Sequence, residues 1–113
     1  MFDRLRLLAA TIALSLVALP QGAGADRATS MAIEKFAFDP PMLTVSVGER
    51  VSFVNRDELP HSVVGLRGET EIFRSSEQMD QDEAFTVVMD GPGEIVIRCG
   101  LHASMSARIV VKP

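Results

Sequence analysis

From Leu43 to Lys112 the apolar residues recur at every second position, in short runs that end on turn-forming residues. Leu43, Val45 and Val47 alternate with Thr44 and Ser46 before Gly48-Glu49, and Val51, Phe53 and Asn55 alternate with Ser52 and Val54. Phe85-Thr86-Val87-Val88-Met89 runs into Asp90-Gly91-Pro92-Gly93, after which Ile95, Ile97 and Cys99 share one face with Arg98 on the other. Ala107–Lys112 forms the last run, bounded by Pro113. Successive side chains of an extended strand point to opposite faces, so this period is the one a sheet with a single buried face requires. Turns at such spacing point to an antiparallel sandwich or barrel. Asp39-Pro40-Pro41 adds an extended turn after the first strand, because a residue before proline avoids helical dihedrals. No segment carries a helical period; Ser75–Ala84 has room for a helical turn at most. The expected fold class is small all-β, with little or no helix.

The start of the chain has a different composition. Met1–Arg6 carries Arg4 and Arg6, and Leu7–Leu19 is apolar apart from Thr11 and Ser15. Pro20–Gly22 breaks the run, and Ala23-Gly24-Ala25 offers the small-x-small pattern of a cleavage site. This reads as a secretory signal peptide over residues 1–25. Its 13-residue apolar run falls short of the roughly 20 residues that a membrane anchor needs. The expected mature domain, residues 26–113, is a single unit of 88 residues, near the lower end of what one hydrophobic core stabilises. Export implies a periplasmic location, or secretion where there is no outer membrane. The domain carries 9 basic and 14 acidic side chains, scattered apart from an acidic group from Glu77 to Glu83. It lacks the basic face that nucleic-acid binding requires, and reads as an ordinary solvated surface.

The chain has one cysteine, Cys99, so no internal disulfide forms. A lone thiol in an oxidising compartment is open to oxidation unless it is buried, paired with another chain or bound to metal. Its neighbours favour metal. Cys99-Gly100-Leu101-His102-Ala103-Ser104-Met105 is a C-x-x-H-x-x-M run between two expected strands, where one turn brings thiol, imidazole and thioether to a common centre. The only other histidine, His61, follows Pro60 in a turn after the Val51–Asn55 strand. Taken singly, a histidine or a methionine in such a domain is more often a surface or core residue. Together, thiolate, two imidazoles and a weak thioether make the blue-copper donor set. Zinc, by contrast, prefers four Cys, His or carboxylate donors and has little use for methionine. The candidate ligands are therefore His61, Cys99, His102 and Met105, for one copper ion. Four protein donors leave no position for substrate, and no Ser–His–Asp triad can be built without taking a copper histidine, so the chain is not expected to be an enzyme.

Residues 51–63, VSFVNRDELPHSV, resemble the segment around the first histidine ligand of the cupredoxins, and residues 91–99, GPGEIVIRC, resemble the strand leading to their cysteine ligand. The two-residue gaps between Cys99, His102 and Met105 match the short ligand loop of the amicyanin type, with plastocyanin and pseudoazurin as more distant likenesses. The resemblance extends over residues 31–112. It implies a Greek-key sandwich of about eight strands with copper near one end. It also implies electron transfer with transient redox partners, such as a dehydrogenase or a cytochrome c, by a monomer. Electrons would pass through His102, whose surrounding apolar patch would include Pro60, Leu101, Ala103 and Met42. Three departures stand out. Ile97 occupies a position that is often aromatic. Gly100 replaces a Ser or Thr whose hydroxyl would bond the equivalent of Asn55, leaving Asn55 to tie the ligand loops through backbone groups. Leu101 and Ala103 replace prolines, which returns an N–H to Leu101 that is expected to point at the Cys99 sulfur. A periplasmic copper carrier or copper-storage protein would use the same four donors, and a structural domain using the site for assembly is a weaker alternative.

Overall fold

The computed structural model describes residues 28–113 and, among the earlier residues, residue 13 alone. The expected signal peptide and its cleavage after Ala25 lie outside the described residues. Nine strands form: β1 (Ala28–Glu34), β2 (Ala37–Asp39), β3 (Met42–Ser46), β4 (Arg50–Asn55), β5 (Val64–Arg67), β6 (Thr70–Arg74), β7 (Ala84–Val88), β8 (Gly93–Arg98) and β9 (Ser106–Lys112). They assemble into a four-stranded sheet of order β2-β1-β4-β7 and a five-stranded sheet of order β3-β9-β8-β5-β6. β1 runs parallel to β4 and β3 parallel to β9, while the remaining neighbours are antiparallel. No helix forms among the described residues: between β6 and β7, Met79 makes a single bridge to His61, and Glu83 N–H closes a turn on the Asp80 carbonyl at 3.1 Å that is not helical, Asp82 having positive φ. The bridge takes the backbone groups that a helical turn would have used internally.

The alternation read from the sequence is what closes the sandwich. Val51 and Phe53 of β4 and Met31 and Ile33 of β1 point inward from one sheet; Ile95, Ile97, Ile109 and Val111 of β8 and β9 meet them from the other. Phe53, Phe73 and Phe85 cluster within the same core, with ring centroids 6.1–6.4 Å apart. Val47 departs from the pattern and is exposed, because the chain turns at Gly48 immediately after it.

Where the sequence suggested one strand before the Asp39-Pro40-Pro41 turn, the structure has two, β1 and β2. Glu34 pairs with Ala37 across a two-residue turn, Lys35-Phe36, and both turn residues have positive φ, at 53° and 57°. Two central residues with positive φ define the hairpin turn whose twist matches that of the flanking strands. Asparagine and glycine normally fill it, so Lys-Phe gives no turn signal in the sequence.

Candidate metal centre

Hydrogen-bonded pairing of β8 with β9 ends at Arg98 and Ser106, and one further backbone bond, Cys99 N–H to the Met105 carbonyl at 3.3 Å, extends the ladder into the connecting loop. Cys99 and Met105 therefore face each other across the loop's neck. The Met105 N–H then donates to the His102 carbonyl at 3.0 Å, folding the loop back on itself and returning His102 toward Cys99. His61 arrives from the opposite sheet, on the connection after β4. Its N–H and carbonyl both bond Met79, at 3.1 and 2.8 Å, so its backbone is pinned as firmly as a strand residue.

These elements gather Cys99 Sγ, His61 Nδ1 and His102 Nδ1 into one group. The sulfur lies 3.7 Å from each nitrogen, and the nitrogens lie 3.2 Å apart. A point in the plane of these three atoms lies about 2.1 Å from each, which is close to ordinary metal–imidazole and metal–thiolate bond lengths. One ion can thus be held in a trigonal plane, the arrangement that copper adopts with two histidines, a cysteine and a weak axial thioether. His61 is fully buried, Cys99 is 3 % exposed, Met105 is buried and His102 is half-buried. The donor chemistry and the triangle both fit copper, with Met105, buried at the end of the same loop, as the candidate fourth donor.

Asp57 and Ser62, neither of which stood out in the sequence, shape this centre. Asp57 Oδ2 lies 2.8 Å from His61 Nε2. A metal on Nδ1 leaves the proton on Nε2, so the ring donates to the carboxylate, which fixes the tautomer and the ring plane. The same carboxylate accepts the N–H of Lys35 at 2.6 Å and that of Phe36 at 2.9 Å. Left-handed backbone costs about 1–2 kcal/mol per non-glycine residue, and charge-assisted bonds of roughly 1.5–3 kcal/mol each offset it. Burial alone would push the Asp57 carboxyl up. The N–H groups of Phe36 and Lys35, together with His61, outweigh that and hold it below the usual carboxylate range. The turn so held carries Phe36 against both histidines, its ring centroid 5.2 Å from that of His61 and 5.1 Å from that of His102, edge-on to each. A carboxylate four residues before a candidate ligand was the one sequence signal for Asp57.

Ser62 corrects two expectations. Asn55 is fully buried, but its side chain donates to the carbonyls of Leu59 and Met79 and accepts from Asp57 N–H, all on the His61 side. It does not join the two ligand loops. That bond belongs to Ser62, whose hydroxyl accepts the Gly100 N–H at 2.8 Å. The N–H that reaches the Cys99 sulfur is also that of Ser62, at 3.4 Å; among the described residues Leu101 contributes none. Gly100 has a steric reason: a Cβ there would lie 2.8 Å from Ser62 Oγ. Of the expected patch residues, Leu101, Ala103 and Met42 are exposed and Pro60 is half-buried; Leu59 and Phe36, which were not among them, are exposed as well.

Comparison with known proteins agrees with this geometry. Residues 25–112 match the profile of the copper-binding proteins of the plastocyanin/azurin family. Amicyanin of Paracoccus denitrificans is 30% identical over 91 residues, covering 78% of this chain and 68% of that protein. Amicyanin of Paracoccus versutus is 32% identical over 88 residues, covering 75% of this chain and 65% of that one, so the chain spans about two thirds of the length of these relatives. Among solved structures, a reduced variant of amicyanin superposes with a TM-score of 0.68 at 27% identity, over 75% of this chain and 82% of that one. The Cu(I) form of another amicyanin variant gives 0.68 at 26% identity with the same coverage. With a matching family profile over nearly the whole described region, a two-sheet β-sandwich and a preformed trigonal donor set, the chain belongs to the plastocyanin/azurin family of copper-binding cupredoxins and is of the amicyanin type.

Proposed function

We propose that this chain is an exported, monomeric carrier of single electrons that works in the periplasm and holds one copper through His61, Cys99, His102 and Met105. The observation that carries the reading is the donor triangle. Its sides of 3.2, 3.7 and 3.7 Å bring two nitrogens and one sulfur close enough to hold a single copper ion, with a donor set that would be acceptable to both Cu(I) and Cu(II). Bound copper supplies a one-electron couple at a fixed position. The chain's residues do the rest. The ladder bond at the loop's neck, the Met79 bridge to His61 and the Ser62–Gly100 bond hold the donors whichever oxidation state is present. The Ser62 N–H bears on the Cys99 sulfur and so stabilises its negative charge. His102, half-buried between exposed Leu101 and Ala103, is the ligand nearest solvent and serves as the electron port. The apolar residues around it, Pro60 and Met42 with them, form a small surface for brief docking by a dehydrogenase or a cytochrome c, as weak redox encounters use.

Loading the protein with copper tests this directly. Intense thiolate-to-Cu(II) absorption with reversible voltammetry is the expected result. Ready surrender of copper to an acceptor apoprotein, with sluggish redox cycling, would instead favour a copper carrier or store.

A further inference from the structure

We propose that Phe36 is a positioning residue for the metal centre: an aromatic cap, locked by Asp57, that sets the orientation of both histidine rings. The proposal rests on the copper reading above and adds a residue that lies 25 positions before His61 and belongs to no ligand loop.

Three observations converge on it. Phe36 is 46 % exposed, a poor place for a phenyl ring on grounds of burial alone, and yet its ring meets both imidazoles edge-on at 5.2 and 5.1 Å. Perpendicular aromatic pairs at this spacing are attractive and directional, because the positive edge of one ring faces the negative face of the other. The two imidazoles are themselves only 4.9 Å apart, inclined at 62°, so one phenyl ring constrains the pair at once. Finally, the turn that presents Phe36 is conformationally costly, with positive φ at both Lys35 and Phe36, and each of their N–H groups is anchored to an oxygen of Asp57. Asp57 Oδ2 also faces His61 Nε2. One carboxylate therefore fixes both the first histidine ring and the residue that leans on it. Strained backbone of this kind persists where the surroundings over-determine it, and it gathers at functional sites.

The consequence falls chiefly on His102. His61 is pinned through its backbone by Met79 and through its ring by Asp57. The His102 ring, on the loop and half-exposed, has no carboxylate partner among the described residues; there its hydrogen-bond and aromatic partners are Cys99, His61 and Phe36. Phe36 is thus the group that keeps this ring from swinging out and opening the copper to competing ligands.

The test compares wild type with Phe36→Leu, Phe36→Tyr and Asp57→Asn. Phe36→Leu keeps an apolar side chain of similar bulk and removes the ring. With the copper-free midpoint of unfolding unchanged, it should shift the thiolate-to-Cu(II) bands and lose Cu(I) to a bathocuproine-type chelator roughly tenfold faster. Phe36→Tyr should restore the wild-type spectrum and rate, and Asp57→Asn should reproduce the Leu variant even though Phe36 is present. Wild-type spectrum and chelation rate in Phe36→Leu would overturn the proposal and leave the copper reading intact. Failure of the wild type itself to take up one copper with a thiolate band would overturn both.

Discussion

At Asp57 a single side chain answers three donors: the N–H groups of Lys35 and Phe36 and the Nε2–H of His61. Only an ionised carboxylate has the lone pairs to accept all of them well. Its pKa is depressed in the folded domain, so the stability it contributes is fully present above its unfolded value and is lost as pH falls through the lower folded value. Acid unfolding of the copper-free protein, followed by circular dichroism, should therefore show a shallower loss of stability below about pH 4 in Asp57→Asn than in wild type. That variant should be less stable at neutral pH by about 1–3 kcal/mol. The importance of Asp57 and Ser62 was not legible in the sequence. A polar residue in a loop has no period to betray it, and what makes these two matter is proximity to groups 22 and 38 residues away. The four candidate donors were legible because three of them fall within one seven-residue loop and the chain has just two histidines.

Strand by strand, the inward-facing runs of β4, β8 and β9 could be read because each buries one face, and burial forces a period of two. The hairpins could not. β6 is an edge strand whose residues are mostly exposed, which leaves no alternation to read, and β2 follows a turn lacking glycine and asparagine. Gly65 in β5 has a packing role that its sequence context hides: a Cβ there would come within 2.2–2.5 Å of the Phe73 ring. Gly65→Ala must push that ring out of its place beside Phe53 and Phe85. Overpacking of this kind costs about 1–3 kcal/mol, to be measured by urea unfolding. The cost falls on the β5–β6 pairing, and the β8–β9 ladder that frames Cys99 lies on the other side of β5 from β6.

Over the whole molecule, two sheets meet around one core and the candidate copper site draws on both: His61 follows a strand of one sheet, and the loop of Cys99, His102 and Met105 joins two strands of the other. The spacing of its donors therefore depends on how the two sheets pack together. If electrons leave through the patch beside His102, two copies of the protein should exchange electrons there with each other. Leu101→Glu puts a charge on an exposed apolar position of that patch. It should lower the self-exchange rate, read from NMR line broadening in mixtures of the two oxidation states, by about tenfold through like-charge repulsion. The copper spectrum should stay nearly unchanged; loss of copper instead would show that Leu101 supports the site rather than the encounter.

The contact between Ser62 and Gly100 also bears on how such a sequence can change over generations. Their two loops are close enough that a side chain at position 100 and a hydroxyl at position 62 compete for one space. Replacing Gly100 by serine in the present chain should be harmful, yet the same replacement made after Ser62→Ala should be tolerated, because the new hydroxyl takes over the room that was vacated. Comparing the two single variants with the double one, by unfolding free energy, should expose this dependence as a favourable non-additive term of about 1–3 kcal/mol. A change from glycine to serine at position 100 is therefore easier when position 62 changes first, because made alone it must displace the Ser62 hydroxyl.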